Sequence, residues 1–260
     1  MNLLRSQPAL RVMVVLLLWS ASGAQAFAAT TRVAVATNFL APLTELAARF
    51  EAQTGHELEL VAASTGKLFA QIVNGAPYAV FLAADAARPR RLAELGLTAA
   101  GSAGQPFTYA VGALVLYTRE PDYAEAAMLK RLKTGTAPIA IANERVAPYG
   151  AAALEVLETL APVAQQRVVR ADSVGQAFAL VATGNAELGL VARSAVTAAG
   201  SGSHVAIDER FHTPIRQDAV LLPAGEADPA ARAFCRWLRS DGARSLLTRW
   251  GYREPVAHTP

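Results

Sequence analysis

The order of apolar and amphipathic segments constrains the fold of this chain more than any other feature. Short apolar runs, typical of buried strands, alternate with segments whose apolar residues recur at helical spacing. The first such run, 32–36, precedes a segment with Leu43 and Phe50 on one helical face, and Gly55 then ends the predicted helix. Strands that alternate with helices in this way predict mainly parallel sheets covered by helices on both faces.

The alternation occurs twice, and one long strand, predicted over 107–116, separates the two series. A strand over 217–222 returns the chain after the second series. Two such series with a return predict an α/β protein of two lobes with a cleft between them, in which 29–110 plus 217–260 form lobe 1 and 111–216 form lobe 2. The remaining predicted strands are 58–62, 80–83, 139–142, 167–170 and 188–191, and the remaining predicted helices are 67–73, 90–95, 151–160, 174–183 and 231–238.

Residues 1–28 have the order of a secretory signal peptide. The positively charged Arg5 precedes the apolar run 12–19, and small residues that suit signal peptidase follow at Ala24 and Ala26. The apolar run is shorter than the roughly 20 residues that a membrane-spanning helix needs. We therefore expect cleavage and export to the periplasm, with a membrane anchor as the alternative.

Charge and cysteine content exclude several other classes of protein. The 24 basic and 21 acidic residues are mixed along the chain. The one basic cluster, 88–91, is interpreted as a solvated helix start, whereas nucleic-acid binding requires a concentrated basic surface. Cys235 is the only cysteine, so an intrachain disulfide and a cysteine metal site are both excluded. The four histidines have no metal-motif spacing and are expected at the surface or at helix caps: His56, His204, His212 and His258.

Four polar loops each connect the end of a predicted strand to the start of a predicted helix. A helix start leaves backbone N–H groups unpaired and carries partial positive charge, so it binds anions without a charged side chain. Ligands of open α/β sheets lie beyond the carboxyl ends of the strands, where all four loops fall. Two loops come from each series, so we expect them to converge on one anion between the lobes. The loops are 37–38, 64–66, 148–150 and 172–175.

Plain helix capping explains any one of these loops, because Ser, Thr, Asn and Asp are ordinary N-caps. The joint pattern favours an anion site, and no loop has Arg or Lys at its tip. A fully deprotonated oxyanion only accepts hydrogen bonds and therefore requires a site made of donors. Monohydrogen phosphate carries a proton and would need an acceptor. Asp172 offers one, although it is predicted to cap the helix that follows, so phosphate stays an alternative.

At these loops the sequence resembles the periplasmic molybdate-binding proteins of ABC transporters, over essentially the whole chain after residue 28. The resemblance implies a periplasmic-binding-protein fold of type II, in which the chain crosses between the lobes twice. It also implies molybdate or tungstate as ligand, and a membrane permease and an ATPase as partners. We expect a monomer that is not an enzyme and has no cofactor, with molybdenum entering only as the oxyanion. The matching segments are 35–39, 63–68, 75–77, 81–85, 147–150 and 173–176.

Carried over residue by residue, the resemblance implies hydrogen-bond donors from both lobes. The commoner family pattern has Ser in the first loop and a ligand-binding Tyr in the strand that here contains Ala192. Ala192 has no hydroxyl, so Tyr149 is expected to replace that donor from a different loop. The choice among molybdate, tungstate and sulfate stays open. The implied ligand-binding residues are Thr37, Asn38, Ser64, Tyr149 and, through its backbone N–H, Val174.

Two enzyme classes share parts of these motifs. Ser64 and Lys67 have the S-x-x-K spacing of a serine acyl-enzyme, and Lys133-Thr134-Gly135 matches a second element of that class. The required order of elements is absent, and Lys133-Thr134-Gly135 is also typical of a helix C-terminus. A phosphate-binding loop of nucleotide enzymes requires glycine where Val61 stands. The serine enzyme is therefore kept only as a minor alternative.

Overall fold

A computed structural model describes residues 30–254 of the chain. The predicted signal peptide, 1–28, and His258 lie outside the described residues. The strands of the described part form two five-stranded sheets. They are β1 (Thr30–Ala36), β2 (Glu57–Ala63), β3 (Val80–Leu82), β4 (Phe107–Gly112), β5 (Leu114–Thr118), β6 (Ile139–Ala142), β7 (Val168–Ala171), β8 (Leu188–Ala192), β9 (Ser203–Ala206) and β10 (Ile215–Leu221).

The two sheets are built on the same plan. The first has the order β2-β1-β3-β10-β4, in which β1 pairs in parallel with β2 and β3, and β10 runs antiparallel to its neighbours. The second has the order β7-β6-β8-β5-β9, in which β6 pairs in parallel with β7 and β8, and β5 runs antiparallel to its neighbours. Each sheet is thus mainly parallel with one reversed strand, and the predicted two-lobed α/β fold is confirmed.

Helices cover both faces of each sheet, which is why the central strands read as continuous apolar runs. Leu43 and Phe50 of the first helix are fully buried, and Gly55 ends this helix in the left-handed conformation (φ +73°), as the sequence predicts. The helices are α1 (Leu40–Thr54), α2 (Thr65–Val73), α3 (Ala87–Glu94), α4 (Glu125–Thr134), α5 (Pro148–Leu160), α6 (Val174–Ala182), α7 (Arg193–Ala199), α8 (Pro229–Trp237) and α9 (Asp241–Arg249).

The prediction of one long strand over 107–116 is wrong. The run is divided at Ala113 into β4, which belongs to the first sheet, and β5, which belongs to the second. Both strands are covered on both faces, so the apolar pattern continues without a break while the chain passes between sheets. The sequence analysis also did not identify α7, β9 and α9, and of α4 it identified only the C-terminal turn at 133–135.

The chain passes between the sheets twice, at Ala113 and again between Ala206 and Ile215. We call the first sheet with its helices the N-lobe (30–112 and 215–254) and the second sheet with its helices the C-lobe (113–214). The limits of lobe 1 and lobe 2 given by the sequence differ from these by a few residues and stay a prediction. In the described part of the chain, no helix has the length and apolar content needed to cross a membrane.

Cys235 is buried in the N-lobe core beside Phe50 and Phe234. Burial raises the pKa of its thiol to about 12, so the thiol stays protonated at neutral pH. Since the thiolate is the reactive form, Cys235 has no chemistry in the folded protein.

We expect Cys235 to react with a thiol reagent such as Ellman's reagent only after unfolding. The labelling rate at about pH 8, close to the pKa of a free cysteine, should be far below that of a free thiol in the folded protein. It should rise to the free-thiol rate in concentrated guanidinium chloride. Rapid labelling of the folded protein would contradict the burial of Cys235.

Candidate functional site

Four turns, two from each lobe, surround one small cavity between the lobes. In the N-lobe the turns follow β1 and β2, and in the C-lobe they follow β6 and β7. All four lie at carboxyl ends of parallel strands, the usual position of ligand sites in such sheets. The cavity is lined by Ala36, Thr37, Asn38, Ser64, Thr65, Ala84, Ala147, Pro148, Tyr149 and Val174.

The five residues implied by the sequence all line this cavity. Of its ten described lining residues, none has a charged side chain. Organic ligands of drug size occupy pockets of roughly 300–1,000 Å³, and this cavity is far smaller, so it suits a much smaller solute. Any charge on that solute would have to be balanced by neutral hydrogen-bond donors and helix starts.

Ser64 has the position of an N-cap for α2, but its hydroxyl makes no capping bond. Its Oγ is buried and has no hydrogen-bond partner among the described residues. Ser173, by contrast, caps α6 in the usual way, with Oγ accepting from the backbone N–H of Gln176 at 3.3 Å. Helix capping therefore accounts for Ser173 and leaves the Ser64 hydroxyl without a structural role. A buried polar group left in this way normally has a partner that is not part of the protein chain.

Thr37 connects the two lobes. Its Oγ1 accepts a hydrogen bond of 3.2 Å from the backbone N–H of Gly175, the second residue of α6. A hydroxyl has one hydrogen, so Thr37 keeps its own hydrogen for another acceptor.

Asn38 is buried next to Thr37 and is held from behind by two side chains. Its Nδ2 donates to Gln217 Oε1 at 2.9 Å and to Tyr252 Oη at 3.0 Å. Its Oδ1 has no partner among the described residues. The Asn38 carbonyl oxygen is also bonded, since it accepts from Ser194 Oγ at 2.7 Å.

Tyr149 lies in the first turn of α5 and is 1% exposed. Its Oη accepts from Gln217 Nε2 at 3.2 Å. Burial raises the pKa of Tyr149 well above 10.0, nearby Tyr252 raises it further, and the hydrogen bond from Gln217 lowers it in part. The phenol therefore stays protonated at physiological pH and keeps its hydrogen for donation.

Val174 contributes a backbone group. It is the first residue of α6, and the N–H groups of a helix's first turn have no partners within the helix. Ala192, at the end of β8, is buried and is not among the residues that line the cavity. The donor that the commoner family pattern has in this strand is therefore absent, while Tyr149 reaches the cavity from α5.

The lobes are in direct contact around the cavity. Gly66 N donates to Val146 O at 2.8 Å, and Lys67 Nζ lies 2.6 Å from a carboxylate oxygen of Asp172. Asp172 is thus an ion-pair partner, and the prediction that it caps α6 is wrong because Ser173 does so.

A second contact between the lobes involves the basic cluster 88–91. Arg88 pairs with Asp85 in the N-lobe and donates from Nη2 to the carbonyl oxygen of Arg145 in the C-lobe at 3.2 Å. Arg88 is therefore partly buried, and the interpretation of the cluster as a simply solvated helix start is wrong for this residue. Asp85 also accepts from the backbone N–H of Arg88 at the start of α3.

The sequence analysis did not identify the buried polar groups behind the cavity. Gln217, Tyr109, Ser194 and Tyr252 lie at 4% exposure or less and are hydrogen-bonded to one another or to Asn38. The one available signal was Gln217 beside Asp218, two polar residues at the start of the predicted strand 217–222.

His212 is the C-cap of the short 3₁₀ helix Glu209–Phe211, one of the two kinds of position predicted for the histidines. His212 is 6% exposed, and its Nδ1 lies 2.9 Å from the Thr213 carbonyl oxygen. Residues 30–254 contain no group of three or more His, Cys, Asp or Glu side chains that could hold a metal ion.

Two α/β lobes connected by two crossings, with a small buried cavity between them, define a solute-binding protein. The chain belongs to the family of bacterial extracellular solute-binding proteins, whose model matches residues 31–253. It is 44% identical to the molybdate-binding protein ModA of Azotobacter vinelandii over 234 residues, which cover 86% of this chain and 90% of that protein. It is 40% identical to ModA of Rhodobacter capsulatus over 221 residues, which cover 84% of this chain and 86% of that protein.

A solved structure agrees with these sequence matches. The periplasmic molybdate-binding protein of Azotobacter vinelandii superposes with a TM-score of 0.79 at 38% identity, covering 86% of this chain and 99% of that chain. The resemblance that the sequence analysis found at the four loops is thereby confirmed.

Gly66 tests the contact between the lobes. A Cβ at this position would lie 2.9 Å from Val146 Cα, so alanine forces the lobes apart. We expect Gly66→Ala to weaken ligand binding by about tenfold or more, which is about 1.4 kcal/mol. It should not destabilise the ligand-free protein, because alanine favours a helix by about 1 kcal/mol over glycine. Calorimetric titration with the ligand and urea unfolding measure the two effects.

Gly242→Ala in α9 is the matched control, since the nearest atom to its new Cβ would be Ser240 Oγ at 3.8 Å. It should leave ligand affinity unchanged. Equal effects of the two substitutions on binding would show that closure does not depend on the contact at Gly66.

The buried tyrosines predict a pH dependence of stability. Burial raises the pKa of Tyr109, Tyr149 and Tyr252 above 10.0, so the folded protein keeps these protons where the unfolded chain loses them. Their contribution to stability is complete below pH 10 and is lost progressively as pH rises above it. Urea unfolding between about pH 8 and 11 should show this fall, and it should be less steep in Tyr149→Phe. An equal slope in both proteins would contradict the burial of an un-ionised Tyr149.

Proposed function

We propose that this protein binds a tetrahedral oxyanion, molybdate or tungstate, in the cavity between its lobes and delivers it to an ABC importer. The observation that carries the proposal is a small, uncharged cavity lined by hydroxyl and backbone donors from both lobes. A fully deprotonated oxyanion offers only acceptors and therefore matches such a donor set. Hydrogen bonds to a charged group are roughly twice as strong as neutral ones, which offsets the loss of solvent.

The hydroxyls of the cavity support donation rather than acceptance. Ser64 Oγ has no hydrogen-bond partner in residues 30–254, so an oxyanion oxygen would satisfy it. Thr37 and Tyr149 each accept a hydrogen bond from a protein group, and each keeps one hydrogen for the ligand. Asn38 and Val174 complete the proposed set of ligand-binding residues. No cofactor and no direct protein–metal bond are part of the proposal.

The names of the relatives favour molybdate over other oxyanions. Two relatives at 44% and 40% identity and one solved structure at 38% are molybdate-binding proteins. Sulfate and phosphate are the alternatives. Phosphate is the less suitable of the two, because Thr37 and Tyr149 offer hydrogens where its monohydrogen form needs an acceptor, and that role falls to Asn38 Oδ1 or Ser64 Oγ, which have no partner among the described residues.

Delivery requires partners that recognise the closed form. We propose that the protein acts as a monomer in the periplasm, and that closure around the oxyanion creates the surface that a membrane permease and its ATPase recognise. The contacts between the lobes at Gly66, Thr37 and Ser194 would form only in that closed state. A ligand that binds one state more tightly shifts the population toward it.

We further propose that the protein is not an enzyme. A serine acyl-enzyme would need a base next to Ser64, yet no hydrogen bond reaches Ser64 Oγ among the described residues. Lys67, the base of the S-x-x-K motif, pairs with Asp172 across the cleft instead. The Lys133-Thr134-Gly135 segment ends α4 and its glycine is the C-cap, as the sequence analysis expected.

Titration of the protein lacking residues 1–28 with molybdate, tungstate, sulfate and phosphate tests the function. We expect heat of binding and a raised unfolding temperature with molybdate and tungstate, because a ligand that binds only the folded state stabilises it. Weaker or no binding is expected for phosphate. No heat and no stabilisation with any of the four anions would refute the oxyanion proposal.

Ser64→Ala should weaken molybdate binding by about 1 to 3 kcal/mol through loss of a hydrogen bond to a charged group. It should leave the stability of the ligand-free protein nearly unchanged, because the hydroxyl caps nothing. Ser240→Ala is the matched control, since Ser240 Oγ caps α9 by accepting from Ala243 N at 3.3 Å. That variant should lose about 0.5 to 2 kcal/mol of stability and keep its affinity. The same outcome for both serines would mean that Ser64 is an ordinary cap.

Tyr149→Phe should also weaken molybdate binding by about 1 to 3 kcal/mol, because it removes one donor and leaves the ring in place. Tyr117→Phe, at a tyrosine equally buried in the C-lobe but packed on Phe178, should bind as the wild type does. Calorimetric titration gives both affinities. Unchanged affinity in Tyr149→Phe would place the site elsewhere.

A further inference from the structure

Gln217 is a fully buried polar side chain at the contact between the lobes, outside the set of lining residues. It lies in β10, where the pairing with β4 shifts register between Gln217 and Asp218. Gln217 pairs with Ala110 and Asp218 pairs with Thr108, so Tyr109 is an extra residue on β4. Such bulges re-aim side chains and are frequent beside functional sites. Here the bulge brings the side chains of Tyr109 and Gln217 together behind the cavity.

The two ends of the Gln217 amide have different partners. Oε1 accepts from Asn38 Nδ2 at 2.9 Å and lies 3.0 Å from Tyr109 Oη, whose one hydrogen is shared between Oε1 and the Ala83 carbonyl oxygen at 3.1 Å. Nε2 lies 3.2 Å from Tyr149 Oη and donates to it. One side chain of the N-lobe therefore holds Asn38 of its own lobe and Tyr149 of the other lobe.

The direction of the bond to Tyr149 decides what its hydroxyl does. A phenol has one hydrogen, and because its oxygen already accepts from Gln217, that hydrogen is available to a ligand. With an acceptor in place of Nε2, the tyrosine would donate to residue 217 and could only accept from the cavity. Gly112 keeps this contact open, since a Cβ at that position would overlap both Tyr149 Oη and Gln217 Nε2.

We propose that Gln217 is a positioning residue that directs the Tyr149 hydroxyl hydrogen into the cavity and so makes this hydroxyl a donor to a bound oxyanion. This inference rests on the proposed function. Thr37 has the same arrangement, since Gly175 N donates to its hydroxyl oxygen. In both cases a protein donor behind the hydroxyl leaves only its hydrogen for the ligand. At these two hydroxyls the ligand can therefore only accept a hydrogen bond.

A double-mutant cycle on molybdate affinity tests the inference. Gln217→Met keeps the length of the side chain and removes its donor. Alone, it should weaken molybdate binding by about tenfold, the equivalent of one hydrogen bond to a charged group. In the Tyr149→Phe background the same change should have little effect, because no hydroxyl is left to direct. Calorimetric titration of the wild type, both single variants and the double variant gives the coupling.

Two controls separate positioning from packing. A second double-mutant cycle combines Gln217→Met with Asn38→Ala. If Gln217→Met is coupled to Asn38→Ala but not to Tyr149→Phe, the effect on affinity belongs to Asn38 and the proposal is overturned. The unfolding temperature of each ligand-free variant measures any general loss of stability. Additive effects of Gln217→Met and Tyr149→Phe on affinity would show that Gln217 is only part of the core.

Gln217→Glu covers the case in which Gln217→Met does not fold, because it has the same shape. Its carboxylate accepts the Tyr149 hydrogen and also repels the anion. The repulsion is present with and without the tyrosine hydroxyl, so it cancels in the cycle with Tyr149→Phe. Coupling should remain, and its absence would refute the proposal.

If the wild type binds none of the four oxyanions, both the proposed function and this inference fail. Additive effects in the cycles of a protein that does bind molybdate refute this inference alone.

Discussion

The site depends on the fact that a hydroxyl group has two acceptor positions but a single hydrogen. Gly175 N donates a hydrogen bond to the hydroxyl oxygen of Thr37, and Gln217 Nε2 donates one to that of Tyr149. The hydrogen of each hydroxyl then points to the cavity and is free to donate to a ligand. Neutral side chains thereby become donors of fixed direction. The cavity needs no lysine or arginine, and at these two hydroxyls the ligand can only accept a hydrogen bond.

Both of these directing bonds cross between the lobes. The donor property of the cavity therefore exists only when the lobes are closed, since opening removes the partner of each hydroxyl. This links ligand chemistry to conformation more directly than the charged contacts at the rim do. The pair of Lys67 and Asp172 is half exposed to solvent, and exposed ion pairs contribute little to stability. Buried hydrogen bonds, which water cannot replace, are the better candidates for holding the closed state.

The topology explains how distant segments meet. Each sheet is mainly parallel and places the carboxyl ends of its strands toward the other lobe, so the turn after every such strand faces the cleft. The reversed strand β10 has a different role, because it carries Gln217 to the back of the cavity. The C-terminal segment adds Tyr252, which donates to the carbonyl oxygen of Asn38 at 2.9 Å. The residues that face the ligand thus come from the turns, and the polar side chains behind them come from β10 and the C-terminal segment.

The sequence by itself determined the two α/β series and the four polar turns, because strand and helix periodicity and helix-start residues are local properties. It placed the cavity residues Thr37, Ser64 and Tyr149 at the turns where the structure has them. It did not reveal the division at Ala113, since strands buried on both faces give one unbroken apolar pattern whichever sheet they join. Nor did it separate Ser64 from Ser173, because both precede a helix, and only the packed structure decides that one hydroxyl caps and the other stays free. The partners of Gln217 lie more than 60 residues away in the chain, so its role was decided by tertiary contacts that no local pattern records.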